Sequence, residues 1–418
     1  MNKIYYFLIS IALICGLTAC SDTKDDPYIE KDGTVDLSGP GLANCYIVQK
    51  PGIYKFKADN MFNQGEGLPV PPEINPTDAT LVWQSVESSV SSVELMEGNE
   101  GEKPYIKFKV DKAEGNALIA ALDEDGNIVW SWHIWMPKDQ ITSVSTSTGY
   151  EVMNMNLGAM NNTPGDAASY GMLYQWGRKD PFPASATLTG DTQTVGAPLY
   201  DIDNNPVSIT YSSWYSNDVN TMEYAIANPT KVISNNSQYS SNRDWLKESD
   251  DTLWGNPKGD LKDGANNYIY KGEKTCYDPS PYGWRVAPAD VFSDFTSTGG
   301  YVWNLADFNV ADFNNDGLIT IDDYNYGWHF LIKNSTPLYF PAAARYDGSY
   351  AMLMGSMSGL WGNYWSNAPY RDSTESKGLG YCCLSFQVKN QTGADAISAS
   401  PSAGGSKADA YSIRCIRD

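Results

Sequence analysis

Short runs of alternating apolar and polar residues dominate the first third of the chain. Gly52-Ile53-Tyr54-Lys55-Phe56-Lys57 and Tyr105-Ile106-Lys107-Phe108-Lys109-Val110 repeat with period two, which places one face in a core and the other in water. Residues 43–48, 79–83, 117–122 and 128–135 are further strand-like runs bounded by polar turns. Between the last two, Asp123-Glu124-Asp125-Gly126-Asn127 reads as a hairpin turn with glycine where φ is positive. Strands this short and this closely spaced predict a β-sandwich over residues 36–138, closed by Pro137-Lys138-Asp139.

From 140 to 418 the pattern changes. Gly, Ser, Asn and aromatic residues are abundant, helical periodicity is weak, and long loops such as 183–253 are expected. Trp214, Tyr215, Tyr224, Tyr239 and Trp245 argue that this loop is pinned to a core. The fold class expected is therefore all-β in front and α+β behind, the second region being a loop-rich, mixed-sheet domain.

The chain opens with Lys3, an apolar stretch over 4–17 and Leu17-Thr18-Ala19-Cys20. The stretch is too short to span a membrane and reads as a signal peptide over 1–19. The last four residues look like a bacterial lipobox, which makes Cys20 the lipidation site. Residues 20–35 read as an acidic tether, and Ser21-Asp22-Thr23-Lys24-Asp25-Asp26 resembles the acidic signal that sends lipoproteins to the cell surface. The expected location is the outer membrane, lipid-anchored and facing outward.

With 29 basic and 50 acidic residues the net charge is −21. Phosphate backbones would be repelled, so nucleic acid is not an expected partner. The 13 Trp, 28 Tyr and 12 Phe permit stacking on sugar rings, although most must serve as core.

One stretch carries explicit ligand chemistry. Residues 312–323, D-F-N-N-D-G-L-I-T-I-D-D, match the twelve-residue calcium loop of an EF-hand. The ligands would be the side chains of Asp312, Asn314 and Asp316, the Leu318 carbonyl, Thr320 directly or through water, and Asp323. Gly317 stands at the sharp turn, and Ile319 is expected to anchor the loop on a core. Residues 327–332 behind the loop read as strand, and no second loop occurs. A calcium switch or a paired dockerin is therefore not expected, but a structural calcium ion is.

Several blocks resemble the Fibrobacter succinogenes major paralogous domain. They are Asn156-Leu157-Gly158-Ala159, Tyr170-Gly171-Met172-Leu173-Tyr174-Gln175-Trp176-Gly177-Arg178-Lys179-Asp180-Pro181-Phe182 and Leu253-Trp254-Gly255. Gly283-Trp284-Arg285-Val286-Ala287-Pro288, Phe340-Pro341-Ala342-Ala343-Ala344 and Ser412-Ile413-Arg414-Cys415-Ile416-Arg417-Asp418 follow in order. The resemblance implies a C-type-lectin-like fold with the domain's two ends paired, related to formylglycine-generating enzymes. It also implies that Cys276 and Cys415 could lie side by side as a disulfide, a pairing that an exported protein can keep.

Catalysis is not expected. The paired cysteines of the formylglycine-generating enzymes are missing, and His133 and His329 are too few and too far apart for an iron site. The calcium-ligating Glu-Pro-Asn and Trp-Asn-Asp sets of sugar-binding lectins are missing as well. Trp361, Tyr364, Trp365 and Tyr370 cluster near glycines and read either as a sugar-stacking surface or as core. The expected function is binding at the cell surface, to a glycan or a surface protein. The alternative is an accessory or tip subunit of a surface fibre.

Overall fold

A computed structural model describes residues 28–146, 148–190, 195–212, 216, 218–235, 243–259, 270–332, 336–350, 352–369, 379–389 and 395–418. Cys20, Trp214, Tyr215, Tyr239 and Tyr370 lie outside the described residues, as do the side chains of Cys382 and Cys383. The described chain is mostly β, in several mixed sheets joined by long loops. Its α-helix, Met222–Ala227, starts at Thr221, whose hydroxyl accepts from the Tyr224 N–H. No helix among the described residues is long and apolar enough to cross a membrane.

The front region holds two sheets. One runs in the order Tyr28–Ile29, Val35–Asp36, Gly52–Lys57, Tyr105–Val110, Val90–Met96. Its period-two strands turn Tyr54, Phe56, Ile106, Phe108 and Val110 inward, as the alternation requires. The second sheet has Asp78–Gln84, Gly115–Leu122, Ile128–Met136 and Cys45–Ile47 at its centre and far edge. Phe56 of the first sheet meets Trp132 of the second, ring centroids 5.1 Å apart.

Gly115–Leu122 and Ile128–Met136 are buried along nearly their whole length. A strand that is apolar on both faces needs cover on both faces. The second region supplies it. Trp130 packs on Tyr277 at 5.7 Å, and the Trp135 indole donates to the Ala159 carbonyl at 2.7 Å. The Asn44 amide donates to the carbonyls of Cys276 and Asp278 at 2.6 and 2.9 Å. Leu199–Tyr200 and Pro206–Val207 even extend the second front sheet, pairing at Gln84. One core cluster accordingly runs from Leu37 to Cys415 across the joint at 138–140.

The second region is built on an eight-stranded sheet whose path includes Met172–Gln175, Ala410–Ile413, Trp361–Trp365, Leu379–Lys389 and Asp395–Ser406. A four-stranded sheet orders Ser143–Ser145, Glu151–Met153, Cys415–Arg417 and Trp284–Val286. Val152 pairs with Ile416 there, so the start and the end of the region lie side by side.

The recurrent sequence blocks meet in this core. Buried Arg414 donates to Asn156 Oδ1 at 2.7 and 3.0 Å and to the Tyr339 carbonyl at 2.8 Å, with its guanidinium 4.1 Å from the Phe340 ring centre. Lys179 donates to Asp180 at 2.7 Å and to the Ser131 hydroxyl at 2.6 Å, all three fully buried. These charges are paired and hydrogen-bonded, the condition under which burial is tolerated. Through these contacts the blocks hold the fold together.

Candidate functional site

The excursion over 296–332 carries the loop singled out in the sequence. Backbone bridges Thr296–Phe308 and Val310–Phe330 hold its limbs to one another, and Val302–Ala399 ties it to the strand Asp395–Ser406. Phe295 stacks on Phe330 at 4.6 Å beneath it. The chain then turns through 312–323 and enters Gly327–Ile332, which pairs with Thr336–Pro341. Residues 327–332 are therefore strand, as their pattern predicts.

Within the loop the polar side chains first satisfy backbone N–H groups. Asp312 accepts from Asp316 N and Gly317 N at 3.2 and 2.8 Å. Asn314 Oδ1 accepts from Asp316 N at 2.9 Å, and Asp316 Oδ1 from Leu318 N at 2.9 Å. The Asn314 amide meets Asp316 Oδ2 at 3.2 Å, so the ligand positions 1, 3 and 5 share one end of the turn. Gly317 has φ +89° with open space where a Cβ would stand, so conformation and not crowding selects glycine.

Asp323 behaves differently. It is 1 % exposed, its Oδ1 accepts from Phe313 N at 2.8 Å and Asn314 N at 3.2 Å, and its Oδ2 accepts from Thr320 N at 2.8 Å. Burial works against its charge, but the three backbone donors outweigh burial and hold the carboxyl below its ordinary value. Both oxygens already accept, which leaves one lone pair on Oδ2 for any cation. Among the described residues no three Asp, Glu, His or Cys side chains already converge on one point. The donor chemistry at Asp312, Asn314, Asp316 and the Leu318 carbonyl suits a hard divalent cation. Position 12, however, fits a single-oxygen contact and not the two-oxygen grip of a glutamate.

Ile319 does not anchor the loop, because it is 39 % exposed. Phe313, itself 42 % exposed, holds the loop by a surface contact, its ring stacked on His329.

Of the aromatics at 361–365, Tyr364 and Trp365 are core. Tyr364 and Trp365 are fully buried. The Tyr364 hydroxyl donates to the Pro341 carbonyl at 2.6 Å, and the Trp365 indole donates to the Tyr174 carbonyl at 2.8 Å. Trp361 is half-buried and donates to the Lys389 carbonyl at 2.7 Å. Their strand is paired on both edges, by Ala410–Ile413 and Leu379–Lys389, and its two faces enter different cores, Tyr364 one and Trp365 the other. They form no sugar platform. The Cys276–Cys415 disulfide is not formed either. Cys276 faces the Pro69 carbonyl at 3.5 Å and Cys415 the Ser280 hydroxyl at 3.3 Å, and burial pushes both free thiols up to about 12.

Sequence reasoning passed over Tyr301 and Trp303. Val302 is buried and paired with Ala399, so strand alternation turns its two neighbours outward. Tyr301 is 49 % and Trp303 65 % exposed, and their rings meet edge to face with centroids 4.6 Å apart. Every other described tryptophan is buried or half-buried. The signal that could have found the pair is the alternation Tyr301-Val302-Trp303 directly behind Gly299-Gly300.

Comparison with family models, with curated proteins and with solved structures finds no match to this chain.

Proposed function

We propose that the protein is a cell-surface binding module that presents Tyr301 and Trp303 to a glycan. The carrying observation is the 65 % exposure of Trp303 in a chain that buries its other described tryptophans wholly or in part. An exposed indole costs apolar hydration and is normally retained at interaction surfaces. The flat, open face of Trp303, braced by the Tyr301 edge, suits the C–H face of a pyranose ring. The high negative charge fits a neutral or basic glycan better than an anionic one.

In this reading the front sheets are a β-sandwich and the region 140–418 is a C-type-lectin-like body. The loop at 312–323 holds a structural calcium ion through Asp312, Asn314, Asp316 and the Leu318 carbonyl, with Asp323 and Thr320 completing the set. Cys20 carries the lipid that holds the protein to the outer membrane. The strand Gly327–Ile332 in place of a second helix and the committed Asp323 carboxylate favour an ion that stiffens the excursion over one that switches it. Affinity electrophoresis through gels cast with neutral polysaccharides tests the reading. Retardation of the wild type, abolished in Trp303→Ala, is expected; equal mobility of the two proteins in every gel would refute it.

A further inference from the structure

A cleft of about 720 Å³ opens between the proline-rich segment 69–72 of the front region and residues 220–226 and 246–253. Met222 and Leu246 give it an apolar wall, and Glu223, Glu248 and Asp250 stand around it against a single Lys247. Tyr277 lies at its base, only 4 % exposed and with its ring against Trp130. Its hydroxyl forms no hydrogen bond among the described residues, and it is not one of the oxygens sealed from solvent, so it is open to a partner from the cleft. Asp250 uses Oδ1 for Thr252 N and Oγ1 at 2.8 and 2.6 Å, and its Oδ2 accepts no hydrogen bond among the described residues. Burial, and then the charges of nearby residues including Asp250 and Glu223, push the phenol far above its ordinary value, which places both carboxylates within electrostatic reach of it.

We propose that this cleft binds a lysine-bearing peptide strand. An ammonium has three donors, and Tyr277, Asp250 and Glu223, which all line the one cleft, bring acceptors of the matching kind. The four-carbon stem lies on Met222 and Leu246, and the prolines 69–72 offer a preformed wall to the peptide backbone. An anionic ligand would face uncompensated carboxylates, and a sugar would find the Tyr277 ring covered by Trp130. The site is independent of Trp303.

A chain of this charge attracts cations everywhere, so the test must separate the cleft from the surface. Calorimetric titration of the full chain with a blocked Ala-Ala-Lys-Ala-Ala peptide is compared with its Nε-acetyl-lysine counterpart. Saturable one-to-one binding is expected, weakened about tenfold by acetylation and about tenfold in Glu223→Gln and Asp250→Asn. Tyr277→Phe, which keeps the ring on Trp130, weakens it severalfold while Trp303→Ala leaves it unchanged. Glu223 is exposed on a short helix, so its variant folds even if Asp250→Asn does not. No binding, equal binding of the two peptides, or wild-type binding by Glu223→Gln would overturn the proposal.

Discussion

The ring of Phe313 lies flat on the imidazole of His329, with centroids 4.5 Å apart and planes 10° from parallel. This contact, with the Ala311 N–H to His329 carbonyl bond at 2.8 Å, joins the start of the 312–323 loop to the strand behind it. Phe313→Ala should therefore free the loop from its strand and leave the two main cores intact. An exposed-side stacking contact of this kind is worth about 1 kcal/mol. The check is hydrogen exchange: amides 313–320 should lose protection in the variant while those of Gly327–Ile332 keep theirs.

The loop's ion is tested by melting. Calcium at about a hundred times its dissociation constant should stabilise the protein by about 2.7 kcal/mol relative to chelator. In Asp312→Ala the calcium-dependent rise in melting temperature should vanish. A rise that survives the substitution places the ion elsewhere. Asp323→Glu should strengthen the response, because the longer side chain restores reach for a second oxygen.

Core and platform aromatics should separate cleanly. Tyr364→Phe removes a hydroxyl that donates to the Pro341 carbonyl and accepts from the Asn156 amide. A loss of about 1–2 kcal/mol in chemical denaturation is expected, with ligand binding unaffected. Trp365→Ala, which empties the space against Tyr411, should cost about 3–5 kcal/mol.

Acid should weaken the fold through His133. Asn116 donates its amide to the Gly158 carbonyl, so its Oδ1 accepts from His133 Nε2 at 2.8 Å, and His133 Nδ1 accepts from the Tyr174 hydroxyl at 3.3 Å. That network needs a neutral ring, and burial lowers the imidazole from 6.5 to about 3. The unfolded chain takes up the proton first, so this contribution is complete at neutral pH and is lost as pH falls below about 6.5. At pH 4.5 His133 alone should remove roughly 2–3 kcal/mol, and urea midpoints at pH 7 and 4.5 should draw together in His133→Gln.

Much of the front region is legible in the sequence because alternation there reports directly on burial. Gly52–Lys57 and Tyr105–Val110 appear at the bounds their pattern implies. Val90–Met96 escapes notice because it is an edge strand whose Ser91, Ser92 and Glu94 face outward or sideways with few apolar partners. The loop at 312–323 is legible as a turn, yet the capture of Asp323 by three backbone donors depends on tertiary placement. Trp361, Tyr364 and Trp365 mislead for a related reason. A short strand near glycines gives no sign that Leu384 and Ser412 will pair with Tyr364 on its two edges while separate cores close over its two faces. Trp303 is the converse, an indole made accessible by the single bridge of Val302 to Ala399.

The most direct test of a glycan-binding role is a glycan array probed with the full chain and with Trp303→Ala. The account predicts a defined set of neutral or basic glycans bound by the wild type. It further predicts a loss of about 2 kcal/mol, roughly thirtyfold in affinity, in the variant at unchanged melting temperature. Binding of the same glycans with undiminished affinity by Trp303→Ala, or no glycan bound by the wild type at micromolar protein, would contradict it.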